Sequence, residues 1–146
     1  MATPPFLASG SSESVSFTGP NERGDPMTSF AMTVPTGIGI AHAHEVEGWD
    51  ASIEGSTAVW SGGSLAPDGE IAFGLTLEAD AEPGVVELQA EQRYPDGAVV
   101  SWPVALTITP ADDSASQNLA LAGVVALIGL LAVAAIGLLA WRRRSA

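Results

Sequence analysis

The chain has 146 residues, with 17 Asp and Glu against 5 Lys and Arg, for a formal net charge of −12. Residues 1–118 hold all 17 acids but only Arg23 and Arg93, a balance of −15; a surface this acidic repels phosphate backbones and excludes nucleic-acid binding. There is no cysteine, so neither a disulfide framework nor a thiolate metal site exists, and the fold rests on its apolar core alone.

The first residues, MATPPFLASGSSES, have no basic region and no useful apolar run, so they do not read as a signal peptide. Alternation of apolar and polar residues then predicts a series of strands, because side chains two apart share a face. A short strand is expected over 14–18, followed by a turn at Pro20-Asn21. Phe30, Met32 and Val34 alternate with Ser29, Ala31 and Thr33, up to a turn at Pro35-Thr36-Gly37. Short strands follow over 41–45, 49–53 and 58–60, with turn signals at Gly62-Gly63 and Pro67-Asp68-Gly69. Ile71, Phe73, Leu75 and Leu77 give the clearest alternation, over 70–77. Val86, Leu88, Ala90, Gln92 and Tyr94 share one face of the next strand. Pro95-Asp96-Gly97 turns the chain back, since proline presets φ and glycine accepts a positive φ. The return strand runs over 98–109 with Val104, Leu106 and Ile108 on one face, completing a long hairpin. Six to eight strands without an amphipathic helix predict an all-β, immunoglobulin-like β-sandwich over 1–110.

Residues 111–118 read as a polar linker. Residues 119–141, LALAGVVALIGLLAVAAIGLLAW, hold no charge and no proline. At ~1.5 Å per residue they reach ~35 Å, enough to cross a hydrocarbon core of about 30 Å as one C-terminal transmembrane helix. Arg142, Arg143 and Arg144 follow it, and Asp112 and Asp113 precede it. The positive-inside rule therefore places the tail, 142–146, in the cytoplasm and the acidic domain outside the cell membrane. An acidic domain of this size does not cross a bilayer unaided. The reading therefore expects the true start, with a hydrophobic leader, to lie upstream of Met1; a tail-anchored protein with the domain inside would break the charge rule.

The sequence has none of the common catalytic patterns: no Gly-x-Ser-x-Gly, no His-Glu-x-x-His, no phosphate loop and no dinucleotide fingerprint. It does not read as an enzyme. His42 and His44 form His-Ala-His, which on a strand would put both rings on one face, where they either share a metal or stand as two surface histidines. Glu45 and Glu47 are close in sequence. Trp49 and Trp60 are expected in the core, and Trp102 either there or at the flank of a site.

Several segments, taken in order, resemble a known family. They are Gly19-Pro20-Asn21-Glu22-Arg23, Thr33-Val34-Pro35-Thr36-Gly37, Glu47-Gly48-Trp49, Val59-Trp60-Ser61-Gly62-Gly63, Leu65-Ala66-Pro67, Phe73, and Glu91-Gln92-Arg93-Tyr94-Pro95-Asp96-Gly97 followed by Trp102. Together they resemble the YcnI-like family of copper-associated bacterial envelope domains, over roughly residues 2–110. The resemblance implies a β-sandwich held at the membrane, copper as cofactor, and copper-handling envelope proteins as partners. It implies a metal site made of an N-terminal histidine, a glutamate and a nearby tryptophan. Glu22 matches that glutamate and Trp102 that tryptophan. The histidine would fall just before Ala2, where this sequence has Met1. An amine, an imidazole and a carboxylate suit Cu(II), while the three methionines at 1, 27 and 32 do not suggest a Cu(I) thioether site. The other function open to such a domain is metal-free recognition of an envelope protein.

Overall fold

The computed structural model describes residues 1–111. The segment expected to cross the membrane, 119–141, lies outside the described residues, as do most of the linker and the basic tail. Ten strands are described: β1 (Ala2–Thr3), β2 (Phe6–Ala8), β3 (Ser12–Pro20), β4 (Met27–Thr33), β5 (Ile38–Ala43), β6 (Asp50–Glu54), β7 (Thr57–Leu65), β8 (Glu70–Ala79), β9 (Gly84–Arg93) and β10 (Val99–Thr109). No helix occurs among the described residues. The strands form a four-stranded sheet, β1-β3-β8-β5, and a six-stranded sheet, β2-β10-β9-β4-β7-β6. All neighbours are antiparallel except β2 and β10. This is the expected all-β sandwich.

The alternation read from the sequence is the alternation of burial. Phe73, Leu75 and Leu77 of β8, Phe30 and Met32 of β4, Leu88 and Ala90 of β9, and Leu106 and Ile108 of β10 are all buried. The rings of Phe30 and Phe73, one from each sheet, stack at 4.5 Å and 5°. Trp60 tilts onto Phe73 at 4.9 Å, and Trp49 meets it edge-on at 5.3 Å. Such rings bury about 150–250 Å² each, so they dominate a core that has no covalent cross-link.

Three of the expected turns close as predicted. Ile38 N donates to Pro35 O, Gly69 N to Ala66 O, and Gly97 N to Tyr94 O. Gly37 and Gly97 take φ of 88° and 82°, values that glycine adopts without a steric cost. Gly62-Gly63 is different: the pair lies inside β7 and not at a turn. Between Met27↔Leu65 and Ser29↔Ser61 the register slips, so β7 carries extra residues in a bulge. Gly62 has φ of 78° there, and the Trp49 indole packs on Gly63, where a Cβ would clash with the ring. Glycine is needed here for close approach as well as for bending. Two strands were not visible in the sequence. β1 and β2 are short and separated by Pro4-Pro5, and each joins a different sheet.

The bulge yields a prediction. Gly63→Ala should displace Trp49 from Phe73 and lower stability by about 1–3 kcal/mol, the usual cost of overpacking. Urea unfolding followed by tryptophan fluorescence checks it, and an unchanged midpoint would show that the indole moves aside freely.

Candidate functional site

The loop between β3 and β4 and the hairpin between β9 and β10 meet at one end of the sandwich. They enclose a pocket of about 470 Å³ lined by Pro20, Glu22, Arg23, Gln92, Tyr94, Val100 and Trp102. Glu22 and Trp102, distant in sequence, thus share one wall. Trp102 is half-buried, 6.4 Å from the Phe30 ring, so the core fixes one face and leaves the other to the pocket.

The floor is a buried polar network. Asn21, Gln92 and Tyr94 are 0%, 2% and 5% exposed, so each needs partners. Asn21 Nδ2 donates to Asp25 O at 2.9 Å and Leu65 O at 3.0 Å. Its backbone N–H donates to Gly69 O, and its carbonyl accepts from Asp68 N. Gln92 Nε2 donates to Pro20 O at 3.0 Å. The single phenolic proton of Tyr94 faces Gln92 Oε1 at 2.8 Å and Asn21 Oδ1 at 3.1 Å. Burial pushes the Tyr94 phenol above its ordinary value; Glu22 and Asp96 reinforce the shift, and Arg23 opposes it. A neutral hydroxyl between two amide oxygens is what this environment favours.

Charge is distributed unevenly around the rim. Arg23 reaches Asp96 at 2.7 Å and Asp25 at 3.5 Å, with its guanidinium 4.8 Å above the Tyr94 ring. Its Nε is buried and unpaired. Because Asp25 and Asp96 occupy Arg23, Glu22 is exposed and takes part in no ion pair among the described residues. Its carboxylate is available to a ligand.

The N-terminal strand runs beside this pocket. β1 lies antiparallel to β3, with Ala2 opposite Phe17. The Met1 amine donates to Thr18 O at 2.7 Å, and Thr18 N donates to Met1 O at 2.9 Å. Pro20 of the pocket wall is two residues further along β3, about 7 Å at strand spacing. The next residue after Thr18, Gly19, has its Cβ position 3.8 Å from Trp102 Cζ2.

His42 and His44 lie elsewhere, on the outer face of the four-stranded sheet. The register of β5 on β8 shifts between Ile40↔Leu77 and His42↔Thr76, so Ala41 is an extra residue. The bulge turns Ala43 into the core, opposite Leu75, and leaves His42 exposed. His44 continues the pairing through its backbone N–H to Gly74 O at 2.9 Å. The two imidazoles have centroids 5.4 Å apart, tilted by 41°. Glu45 and Glu47 do not complete a cluster: no group of three or more His, Cys, Asp or Glu is placed to hold a metal among the described residues.

No family model matches the chain, and no curated protein sequence matches it. Solved structures do resemble it. A protein from Nocardia farcinica with an immunoglobulin-like fold is similar at 22% identity and a TM-score of 0.61, over 70% of this chain and 91% of that one. The bacterial hydrophobin BslA is similar at 13% identity and a TM-score of 0.54, over 72% of this chain and 86% of that one. At these identities the likeness is one of fold, and it makes this domain an immunoglobulin-like sandwich.

The network gives a prediction with a clean readout, since Tyr94 is the one tyrosine of the chain. Its folded-state pKa is raised, so the stability it contributes is complete below the unfolded value of about 10. That contribution is lost as pH rises through the folded value. Phenolate absorbance should titrate above 10.0 in the folded protein and return to about 10 in urea. Tyr94→Phe should cost about 1–3 kcal/mol by leaving the buried Gln92 Oε1 without its donor, while Asn21 Oδ1 keeps the Arg23 backbone N–H at 3.1 Å. An ordinary titration midpoint in the folded state would show that the hydroxyl is solvated.

Proposed function

We propose that the chain is a membrane-anchored extracytoplasmic domain that binds Cu(II) beside the Glu22–Trp102 pocket and serves in copper handling. The observation that supports this reading is that Glu22 and Trp102 line one pocket, while the N-terminal amine is bonded to Thr18 O, two residues from its Pro20 wall. The residues of the wall by themselves supply one ligand, the Glu22 carboxylate. An indole has no good donor atom, and Arg23 is a cation. The amine and imidazole nitrogens that Cu(II) favours would come from a histidine preceding Ala2, at the position Met1 now holds. Trp102 would then cover one face of the ion, and the acidic surface would raise the local cation concentration.

A second reading, a metal-free interaction module, has one observation in its favour. β6 forms an edge of the six-stranded sheet, and all five of its residues are exposed. Such an edge can accept a strand from a partner. The copper reading is preferred because it uses the convergence at the pocket.

Copper titration separates the two. A full chain whose first residue is histidine (Met1→His), with His42 and His44 changed to alanine so that no other imidazole competes, should bind one Cu(II). Adding Glu22→Gln should weaken binding by about tenfold or more. Equal affinity with and without Glu22 would overturn the assignment.

The anchor is tested separately. The full chain should stay with membranes after alkaline carbonate washing, and a chain ending at Asn118 should not. Protease added outside intact cells should remove the domain. A soluble full chain, or a domain protected from outside protease, would overturn the membrane reading.

A further inference from the structure

The two histidines are the only ones in the chain, and the pocket just described uses neither. We infer that His42 and His44 form a separate Zn(II) site on the outer face of the four-stranded sheet, bound through two imidazole nitrogens.

The separation of the rings carries the argument. With a metal–nitrogen bond of about 2.0 Å, an imidazole centroid stands roughly 3.2 Å from its metal. Two centroids 5.4 Å apart then subtend about 115° at a shared ion, close to the tetrahedral angle zinc takes. A right angle, as between neighbouring ligands of a tetragonal Cu(II) centre, would bring the centroids to about 4.5 Å. The separation thus suits a tetrahedral ion once each ring turns a nitrogen toward it, with water in the two remaining positions.

The fold also selects the donor atom of His44. Its ring lies on Gly74, where a Cβ would stand 2.7 Å from Nδ1, so that nitrogen faces the strand. Nε2 is left as the metal donor; it sits 3.0 Å from Thr76 Oγ1, a hydrogen bond that zinc would displace. Thr76 is the cross-strand partner of His42, so this contact brings Nε2 of His44 to the rung that His42 occupies. The Trp60 indole N–H, donating to His44 O at 2.8 Å, ties this segment to the core. The site is thus held by a buried tryptophan on one side and a glycine seat on the other.

The experiment is a Zn(II) titration of the full chain in detergent, followed by calorimetry and by the imidazole proton resonances, all of which belong to these two residues. One zinc should bind, and both rings should shift along a single saturation curve. His42→Ala or His44→Ala should each weaken binding by about tenfold or more. Gly74→Ala keeps both ligands but removes the seat of the His44 ring, and it should weaken binding as well. The inference is overturned if single-histidine variants bind within twofold of the parent. It is equally overturned if the two resonances titrate independently, or if zinc binds without moving them.

Discussion

The stack of Phe30 on Phe73 is the contact on which the rest of the structure depends. It joins the two sheets at their centre, in a protein without cysteine. A sandwich with no cross-link is held by complementarity between its inner faces, and aromatic rings give the largest area for the least conformational entropy. The stack also has reach. Phe30 carries Trp102 at 6.4 Å, and Trp102 is a wall of the pocket. Phe73 carries Trp60 at 4.9 Å, and the Trp60 N–H holds the His44 carbonyl. One buried pair thus sets the position of groups at both candidate sites.

The second constraint is polar. Asn21, Gln92 and Tyr94 place amide and hydroxyl groups where apolar side chains would ordinarily sit. That costs little only when the hydrogen bonds are complete. Here the donors and acceptors of three side chains meet one another, three backbone carbonyls and one backbone N–H. The result is a loop whose path is fixed without a sheet. Glu22 follows Asn21 directly, so its backbone is immobilised while its carboxylate stays in water. The two cations of the described residues are engaged as well, Arg23 by Asp25 and Asp96 and Arg93 by Glu91. Most carboxylates of the described residues are left without an ion pair, and their field favours cations at that surface.

How much of this was legible in the sequence depends on the range of the interaction. Alternation over 70–77 and 86–94 revealed the strands because inside and outside differ at every second residue. The pocket was partly legible too. Gln92 stands in an otherwise apolar face, between Ala90 and Tyr94, and a polar residue there requires a partner. Which distant partner it finds was not legible, since Pro20 is more than seventy residues away. Gly62-Gly63 was misread because a positive φ serves bulges as well as turns, and only the position of Trp49 distinguishes them. β1 and β2 escaped because strands of two and three residues show no period.

The bulges explain why ligating side chains appear where they do. A regular β5 would keep one parity throughout, and Ile38 and Ile40 would place His42 on the inner face with them. An imidazole there would need buried partners, as Gln92 does. The extra residue at Ala41 reverses the parity, so Ala43 fills the core and His42 and His44 face outward. Such a device disrupts one rung of the sheet and exchanges an inward histidine for an inward alanine. Its effect on the surface is specific: the two rings come to one face, and His44 lies over a glycine small enough to seat it, with Nε2 at Thr76 Oγ1. A bulge that only ended the strand would not need that glycine. The coincidence of reversed parity, a glycine seat and rings 5.4 Å apart is what separates this pair from two histidines that happen to be exposed.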